Sequence, residues 1–368
     1  MSREKIITLA KKVFSEIDLS DLGTTFTELG IDSFDLISFR AELQSKLDIT
    51  ISNSDWVTCT SIQDIIKNAK NEISEPNNHP DQVEKRQLTL NMPQMAVGGI
   101  SESWYFKEIG GMHWENICAT LKQKSHSITD SENNRLYATF VRILYKSSAP
   151  LNQFKENEKI ELSCQLSRFG KSMFFSESNT VGNDKNIKAT LMSTFAMRGE
   201  NNEKLLKGEP IIPSDSIILE HNEMPAFVEQ YRAVRAEKIQ TIKLDGEEIP
   251  VGQENLFEYE YTLNPYHDFN GVNLLYFAAY PIINENCERQ YVHTKKEEYG
   301  VKKDWSMDAS VIARDCYYFG NCEVNDSLVY TLNAVVKVSK GRYCFASSVS
   351  RKSDSKLLAR FFTVKENT

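Results

Sequence analysis

The sequence predicts an α+β protein, in which a small four-helix bundle precedes two copies of a unit built from one long helix and an antiparallel sheet. Apolar residues recur at helical spacing over roughly the first seventy residues. Two later segments resemble each other at a constant offset, and stretches of alternating apolar and polar residues follow each of them. The chain has 368 residues, of which 40 % are hydrophobic and 26 % charged, as expected for a globular protein of two or three domains.

The composition argues against several classes of protein. There are 43 Lys+Arg against 51 Asp+Glu, and this net charge of −8 disfavours a nucleic-acid-binding surface or a polybasic membrane patch. The sequence contains neither an apolar run long enough to cross a membrane nor a signal peptide at Met1, which predicts a cytoplasmic protein. The 7 cysteines are scattered without a C-x-x-C motif, and Walker and Rossmann loops are missing. We therefore expect buried thiols, no metal and no nucleotide cofactor.

Residues 1–75 are predicted to form the helical bundle. Helical spacing of apolar residues marks a first helix, a loop follows over 18–27, and a last short helix covers about 61–70. Asp32 or Ser33 can cap a second helix, whose acidic residues Asp35 and Glu42 are expected to be exposed. Residues 1–72 hold 8 basic and 12 acidic side chains by count, so this fifth of the chain carries half of the net charge.

The segment Leu29-Gly-Ile-Asp-Ser-Phe, followed by an acidic amphipathic helix, resembles the acyl carrier protein family. The resemblance implies that Ser33, preceded by Asp32, carries a covalent 4′-phosphopantetheine, and that a phosphopantetheinyl transferase attaches it. It also implies that partner enzymes bind the acidic helix. Phe34 departs from the leucine usual in that family. Without the resemblance, the same two residues would simply cap a helix.

A polar segment with two prolines follows, and residues 76–87 are predicted to be a linker. Beyond it, two pairs of motifs point to an internal duplication. Pro93 and Gly99 match Pro265 and Gly271 at an offset of 172 residues, and a glycine-centred motif at 169–176 matches another at 340–347 at an offset of 171. The predicted repeats are 88–215 and 216–368.

Each repeat is predicted to contain a long helix and four strands. The helices are expected at about 101–121 and 272–292. The strands are expected at about 135–146, 159–168, 171–180 and 187–197 in the first copy, and at about 308–319, 327–338, 341–350 and 356–365 in the second. A long helix wrapped by such a sheet and then duplicated resembles the double hotdog architecture, which implies activity on acyl thioesters of coenzyme A or carrier proteins.

The segment that begins at Asp268 resembles the hotdog thioesterase signature. There, an aspartate acts as nucleophile or base, and the helix start at Asn270-Gly271 polarises the thioester carbonyl. His267 is the adjacent candidate for substrate binding. In the alternative interpretation, Asp268 and Asn270 only cap the helix.

A sharper resemblance is to the bifunctional acyltransferase/decarboxylase family of the leinamycin pathway. It rests on the segment 92–114, on Arg135-Leu-Tyr-Ala-Thr-Phe-Val and on the segment 268–281, and it spans about 88–366. The family takes (methyl)malonyl-coenzyme A, releases carbon dioxide and delivers the shortened acyl group to a carrier thiol. The resemblance makes Tyr137 the candidate nucleophile, although a tyrosine in a strand is ordinarily a core residue.

A tyrosine nucleophile needs help to lose its proton, and Asp268 or His113 is the candidate for this role. The glycine pair Gly98-Gly99 before the first long helix suits a close backbone approach to the thioester carbonyl.

Three hypotheses follow from the sequence. The leading one is an acyltransferase/decarboxylase that loads propionyl or acetyl from acyl-CoA onto its own carrier for polyketide synthase modules. The second is a hotdog thioesterase or dehydratase acting on the tethered chain, and the third is a non-catalytic docking scaffold. The sequence does not determine the identity of the acyl group, the repeat that contains the active site or the oligomeric state. Hotdogs commonly form homodimers, and the duplication offers the same pairing within one chain.

Overall fold

The computed structural model describes residues 2–71, 83–97, 99–199, 205–252, 254–295, 309–339 and 341–367. The expected site residue Gly98 and residues 76–82 of the predicted linker lie outside these ranges. In the described residues, no helix is long and apolar enough to span a bilayer.

The N-terminal bundle has the predicted helices plus one short addition. Its elements are α1 Ser2–Val13, α2 Ser33–Leu47, β1 Ile49–Thr50, α3 Asn53–Thr58, α4 Ile62–Asn68 and β2 Lys70–Asn71. Asp32 caps α2, because its Oδ1 accepts from the amides of Phe34 at 2.7 Å and Asp35 at 2.9 Å. The Asp35 carboxylate accepts in return from the Asp32 amide, which completes a capping box. The bundle has its own core, in which the rings of Phe14 and Phe39 are 5.1 Å apart.

The rest of the chain contains two halves with matching elements. The first consists of β3 Val83–Thr89, β4 Met95–Ala96, β5 Gly99–Ile100, α5 Glu102–Leu121, β6 Tyr137–Ser147, β7 Lys159–Phe169, β8 Met173–Gly182, β9 Lys185–Arg198 and β10 Leu205–Gly208. Between the halves lie β11 Leu219–Glu220, α6 Ala226–Arg235, β12 Thr241–Leu244 and β13 Glu247–Pro250. The second half consists of β14 Phe257–Thr262, α7 Tyr280–Lys295, β15 Ala309–Tyr318, β16 Ser327–Ser339, β17 Arg342–Arg351 and β18 Leu357–Asn367.

Twelve strands of the described chain join in one sheet, which is antiparallel except where β11 meets β7. From edge to centre, the first half runs β7-β8-β9-β6 and the second β16-β17-β18-β15, and β6 pairs with β15 to join them. Matching positions make matching contacts. His113 of α5 bonds to the Ser176 hydroxyl at 2.7 Å, and the Ser347 hydroxyl donates to Asn284 of α7 at 2.6 Å. Both members of the second pair follow the first by 171 residues, the offset read from the sequence.

The two faces of the sheet cover different layers, because side chains alternate along a strand. Cys316 and Tyr318 of β15 pack into the core that contains α5 and α7. Tyr317, between them, faces the other way and stacks on Tyr231 of α6 at 6.1 Å. That second layer also contains the hairpin β12–β13 and part of α2 from the bundle. Elements α6, β12 and β13 were not predicted from the sequence.

Two predicted elements differ from the structure. The last residues of the predicted linker belong to strand β3, whose seven residues pair with Lys159–Gln165 of β7 and so complete the sheet edge. The second long helix begins at Tyr280 and not at Val272. The preceding residues form a hairpin-like loop instead, because Phe269 bridges to Leu275 and Asn273 takes a positive φ of 59°.

Candidate functional site

The helical bundle lies docked on the sheet through the helix that begins with Ser33. Phe34 is 1 % exposed, and its ring lies 4.3 Å from the ring of Tyr231 on α6. Phe34, Ile37 and Ala41 belong to the cluster that covers the sheet and not to the core of the bundle. The burial of Phe34 is therefore a consequence of docking.

Complementary charges surround this contact. Asp35 pairs with Arg232 at 2.8 Å, and Asp32 pairs with Arg235 at 2.6 Å. The prediction that Asp35 and Glu42 are exposed is corrected here. Asp35 is half-buried by its arginine partner, and Glu42 is buried beside Lys46, because the remainder of the chain covers this helix. The acidic helix thus meets a basic helix of the same chain.

Hydrogen bonds fix the position of the bundle further along the interface. Gln44 donates to Glu209 at 2.6 Å and accepts from the amide of Lys171 at 2.9 Å. The amide of Glu209 donates to the Asn53 side chain at 3.2 Å. At Gly170 a β-carbon would lie 2.8 Å from the backbone of Ala41, so the two surfaces approach as closely as a glycine allows.

A cavity of about 530 Å³ opens where the bundle meets the sheet. Its lining comes from the bundle and from both halves, and it includes Ser33, Gly110, His113, Tyr137, Lys207 and Asn270. Ser33 is exposed and is the first residue of α2. The structure therefore brings the predicted attachment serine, the predicted nucleophile and one of its predicted helpers to a single cavity.

Tyr137 lies at the start of β6, between two arginines. The guanidinium carbons of Arg135 and Arg198 lie 4.8 Å and 5.9 Å from the centre of its ring. A guanidinium over an aromatic ring interacts favourably with the π-electrons of the ring face. Tyr137 and Arg135 also line a second, more open cavity of about 460 Å³ beside α3. Tyr137 is thus accessible from two sides.

His113 is held neutral in the helix α5. Its Nδ1 and Nε2 bond to the hydroxyls of Ser176 and Ser193 at 2.7 Å and 2.8 Å, and the side chain is fully buried. Burial lowers the pKa of His113 to about 3. A histidine with so low a pKa and both nitrogens engaged is a weak proton acceptor at neutral pH.

The remaining candidate residues lie in the loop before α7, and only some of them line the cavity. Asn270 and Gly271 line the cavity. The Asn270 Oδ1 accepts from the amides of Val272 and Leu274 at 3.0 Å, and its Nδ2 has no hydrogen-bond partner in the described part of the chain. This amide group is available to polarise a carbonyl in the cavity.

Asp268 and His267 do not line this cavity. The Asp268 carboxylate is fully buried and accepts from the amide of Asn264 at 2.7 Å, the hydroxyl of Tyr261 at 3.2 Å and His267 Nδ1 at 2.8 Å. Helix α7 begins at Tyr280, well beyond both residues, so neither Asp268 nor Asn270 caps it. Asp268 organises the loop that presents Asn270.

Gly99 has a packing role in the structure. A β-carbon there would lie 2.3 Å from the backbone of Leu151 and Asn152, so the short turn Leu151–Gln153 fills the space beside the first helix start. Gly99 does not line the cavity. The cavity is therefore lined by the loop that contains Asn270 and not by Gly99.

Sequence reasoning missed Lys207 and Arg235, which also line the cavity. Lys207 lies in a short strand without any local signal. The spacing of Arg232 and Arg235 was an available signal, because residues three apart on a helix share one face and could have been matched to the acidic face of α2.

Comparison with known proteins identifies the two parts of the chain separately. Residues 4–68 match the family described as the phosphopantetheine attachment site. The match implies that this domain carries a covalently attached 4′-phosphopantetheine. The residues present fit that group, because an exposed serine at the start of α2 opens onto a cavity that also contains the ammonium of Lys207, which donates to the Thr194 hydroxyl. No curated protein matches the chain.

Solved structures match the larger part. A protein described as an oleoyl thioesterase from Lactobacillus plantarum is 7 % identical, with a TM-score of 0.52 over 78 % of this chain and 97 % of its own. A 12:0-ACP thioesterase from Umbellularia californica is 10 % identical, with a TM-score of 0.49 over 78 % of this chain and 98 % of its own. An acyl-ACP thioesterase from Bacteroides thetaiotaomicron is 12 % identical, with a TM-score of 0.48 over 77 % of this chain and 98 % of its own. The first similarity shows a hotdog-type fold.

Proposed function

We propose that this protein is a carrier-fused acyltransferase/decarboxylase with a double hotdog catalytic region. It takes the acyl group of (methyl)malonyl-CoA, releases carbon dioxide and loads propionyl or acetyl onto the arm of its own Ser33. The observation that carries the proposal is that Ser33 of the docked carrier and Tyr137 line the same cavity. A tethered carrier is present at an effective concentration of about millimolar or above, so loading within one chain is physically reasonable.

Different residues of the cavity have different roles in the proposed reaction. When bound, the phosphopantetheine supplies the thiol that accepts the acyl group. The Tyr137 oxygen attacks the thioester carbon of the acyl-CoA, its proton passes to the departing sulfur, and an acyl ester of Tyr137 forms as the C–S bond breaks. Arg135 and Arg198 stabilise the negative charge on the phenol oxygen during this step.

Decarboxylation needs a polarised carbonyl and no metal. As the bond to the carboxylate breaks, its electron pair moves into an enolate whose oxygen accepts a hydrogen bond from Asn270 Nδ2. Carbon dioxide leaves in this step, and the enolate carbon then takes up a proton from solvent water. Transfer from Tyr137 to the thiol completes the reaction and returns the proton to the phenol oxygen.

The geometry favours transfer over hydrolysis led by Asp268. A nucleophile must reach the substrate, whereas Asp268 is fully buried and held by three donors away from the cavity lining. No arrangement in the described residues favours a dehydratase. The downstream partners of the loaded carrier are polyketide synthase modules in this proposal.

Intact mass spectrometry tests the proposal. Protein carrying the arm is mixed with methylmalonyl-CoA, and the expected product has gained propionyl on Ser33. Tyr137→Phe should lose loading, while the matched control Tyr266→Phe, whose parent side chain is 98 % exposed, should retain it. An unchanged mass, or a gain of the complete methylmalonyl group, would refute a decarboxylating loader.

A further inference from the structure

A lysine without an anionic partner faces the cavity beside Ser33. Lys207 lines the cavity, and its Nζ donates to the Thr194 hydroxyl at 2.9 Å. Across the residues that the structure describes, no carboxylate forms an ion pair with this ammonium group. Burial and the nearby charge of Arg235 lower the pKa of Lys207 to about 8, and Asp32 offsets this in part. The cavity therefore contains a partly buried cation that an anion would stabilise.

Arg235 is the second cation at this position. It is the last residue of α6, it lines the same cavity, and it pairs with Asp32, the residue that precedes Ser33. The amides of Phe34 and Asp35 at the start of α2 are already bonded to the Asp32 carboxylate. An anion on Ser33 therefore has to find part of its stabilisation in side chains outside the carrier.

We propose that Lys207 and Arg235 form the binding site for the phosphodiester of the arm on Ser33 while the carrier is docked. The inference rests on the proposed function for one point, the choice of Ser33 as the attachment residue. A phosphodiester carries one negative charge at neutral pH. It would supply the missing partner of Lys207 and would share Arg235 with Asp32. Both are positioning residues, since they hold the arm and not the reacting thioester.

The first test uses the wild-type protein without and with the arm. The lysines are ¹³C-dimethylated, and the Lys207 methyl signal, assigned by comparison with Lys207→Arg, is titrated by NMR. We expect the arm to raise the pKa of Lys207 by about one unit or more, because a neighbouring anion favours the charged ammonium. An equal pKa in the two forms overturns the proposal.

The second test compares thermal unfolding of the two forms. Attachment of the arm should raise Tm in the wild type, in Lys207→Arg and in the control Lys85→Met, whose parent side chain is 61 % exposed on β3. Lys207→Met should lose most of this increment, because the phosphodiester then keeps only Arg235, which it shares with Asp32. An increment that survives in full in Lys207→Met contradicts the proposal, and if this variant does not fold, the wild-type titration decides.

A third comparison distinguishes the phosphodiester from the carboxylate of a substrate. If the pKa of Lys207 moves only after a malonyl donor is added, the site binds the substrate carboxylate and the phosphodiester assignment is wrong. A raised pKa in protein that never gains an acyl group refutes acyl transfer and supports the site. A Ser33→Ala protein that still gains the arm refutes both, because the attachment residue then lies elsewhere.

Discussion

Phe34 should control how firmly the carrier is docked. Full burial of a phenylalanine side chain contributes about 1.5–3 kcal/mol, and a close aromatic pair adds about 0.5–1.5 kcal/mol. Phe34 is 1 % exposed against Tyr231. Phe34→Ala should thus cost about 2–4 kcal/mol of docking free energy, or roughly 30- to 700-fold in the docking equilibrium.

Hydrogen exchange measures this equilibrium directly, because two backbone amides bond across the interface. The amide of Lys171 donates to Gln44, and the amide of Glu209 donates to Asn53. Both should exchange faster in Phe34→Ala by the factor given above. Amides inside the carrier core should keep their rates.

The control is Phe14→Ala, which removes a phenylalanine that is 4 % exposed in the carrier's own core. This variant should accelerate exchange inside the carrier, since its stability is lowered there. Unchanged exchange at Lys171 and Glu209 in Phe34→Ala would refute the docking role of Phe34. Equal acceleration of the carrier core in Phe34→Ala would show that its ring stabilises the carrier itself.

Three further outcomes are expected. Gly110→Ala should lower the stability by about 1–3 kcal/mol in thermal unfolding, because the new β-carbon would lie 2.4 Å from the Phe277 ring. The control Gly111→Ala places its β-carbon in open space, so its stability should be unchanged or rise by up to about 1 kcal/mol. As the pH drops from about 6.5 towards 3, the free energy of unfolding should fall by up to about 1.4 kcal/mol per pH unit, because His113 gains a proton in the unfolded state but not in the folded state. Urea titrations should show a smaller loss in His113→Asn. Rising salt should speed hydrogen exchange at the interface amides only slightly, because the ion pairs of the docking interface are partly exposed and contribute about 0–1 kcal/mol each. A salt effect as large as that of Phe34→Ala would show that charge dominates docking.

The regular elements could be predicted from the sequence because their signals are local. Alternation along 159–169 or 327–339 requires only that one face of the strand is covered more than the other. The start of α2 was predictable for the same reason, since Asp32 caps it through amides two and three residues away. The constant offset likewise predicted matching long helices at about 101–121 and 272–292, and His113 and Asn284 occupy corresponding positions in the two observed helices.

The remainder depends on contacts between distant segments. The pairing of Asp35 with Arg232 joins residues 197 apart in the chain, so no pattern within α2 itself indicates that its acidic face is covered by the same chain. The wrong start of the second long helix has a similar cause. Asp268 and Asn270 satisfy the loop through their side chains, which a helical apolar spacing does not reveal.

The most direct test of the central claim is the rate at which the arm on Ser33 gains its acyl group, measured by intact mass at several protein concentrations. Methylmalonyl-CoA is kept in saturating excess while the concentration of arm-bearing protein is varied a hundredfold. Loading from the docked carrier predicts a propionyl gain with a first-order rate constant that does not depend on protein concentration. A rate constant proportional to protein concentration, or an arm that stays unloaded, would contradict loading within one chain.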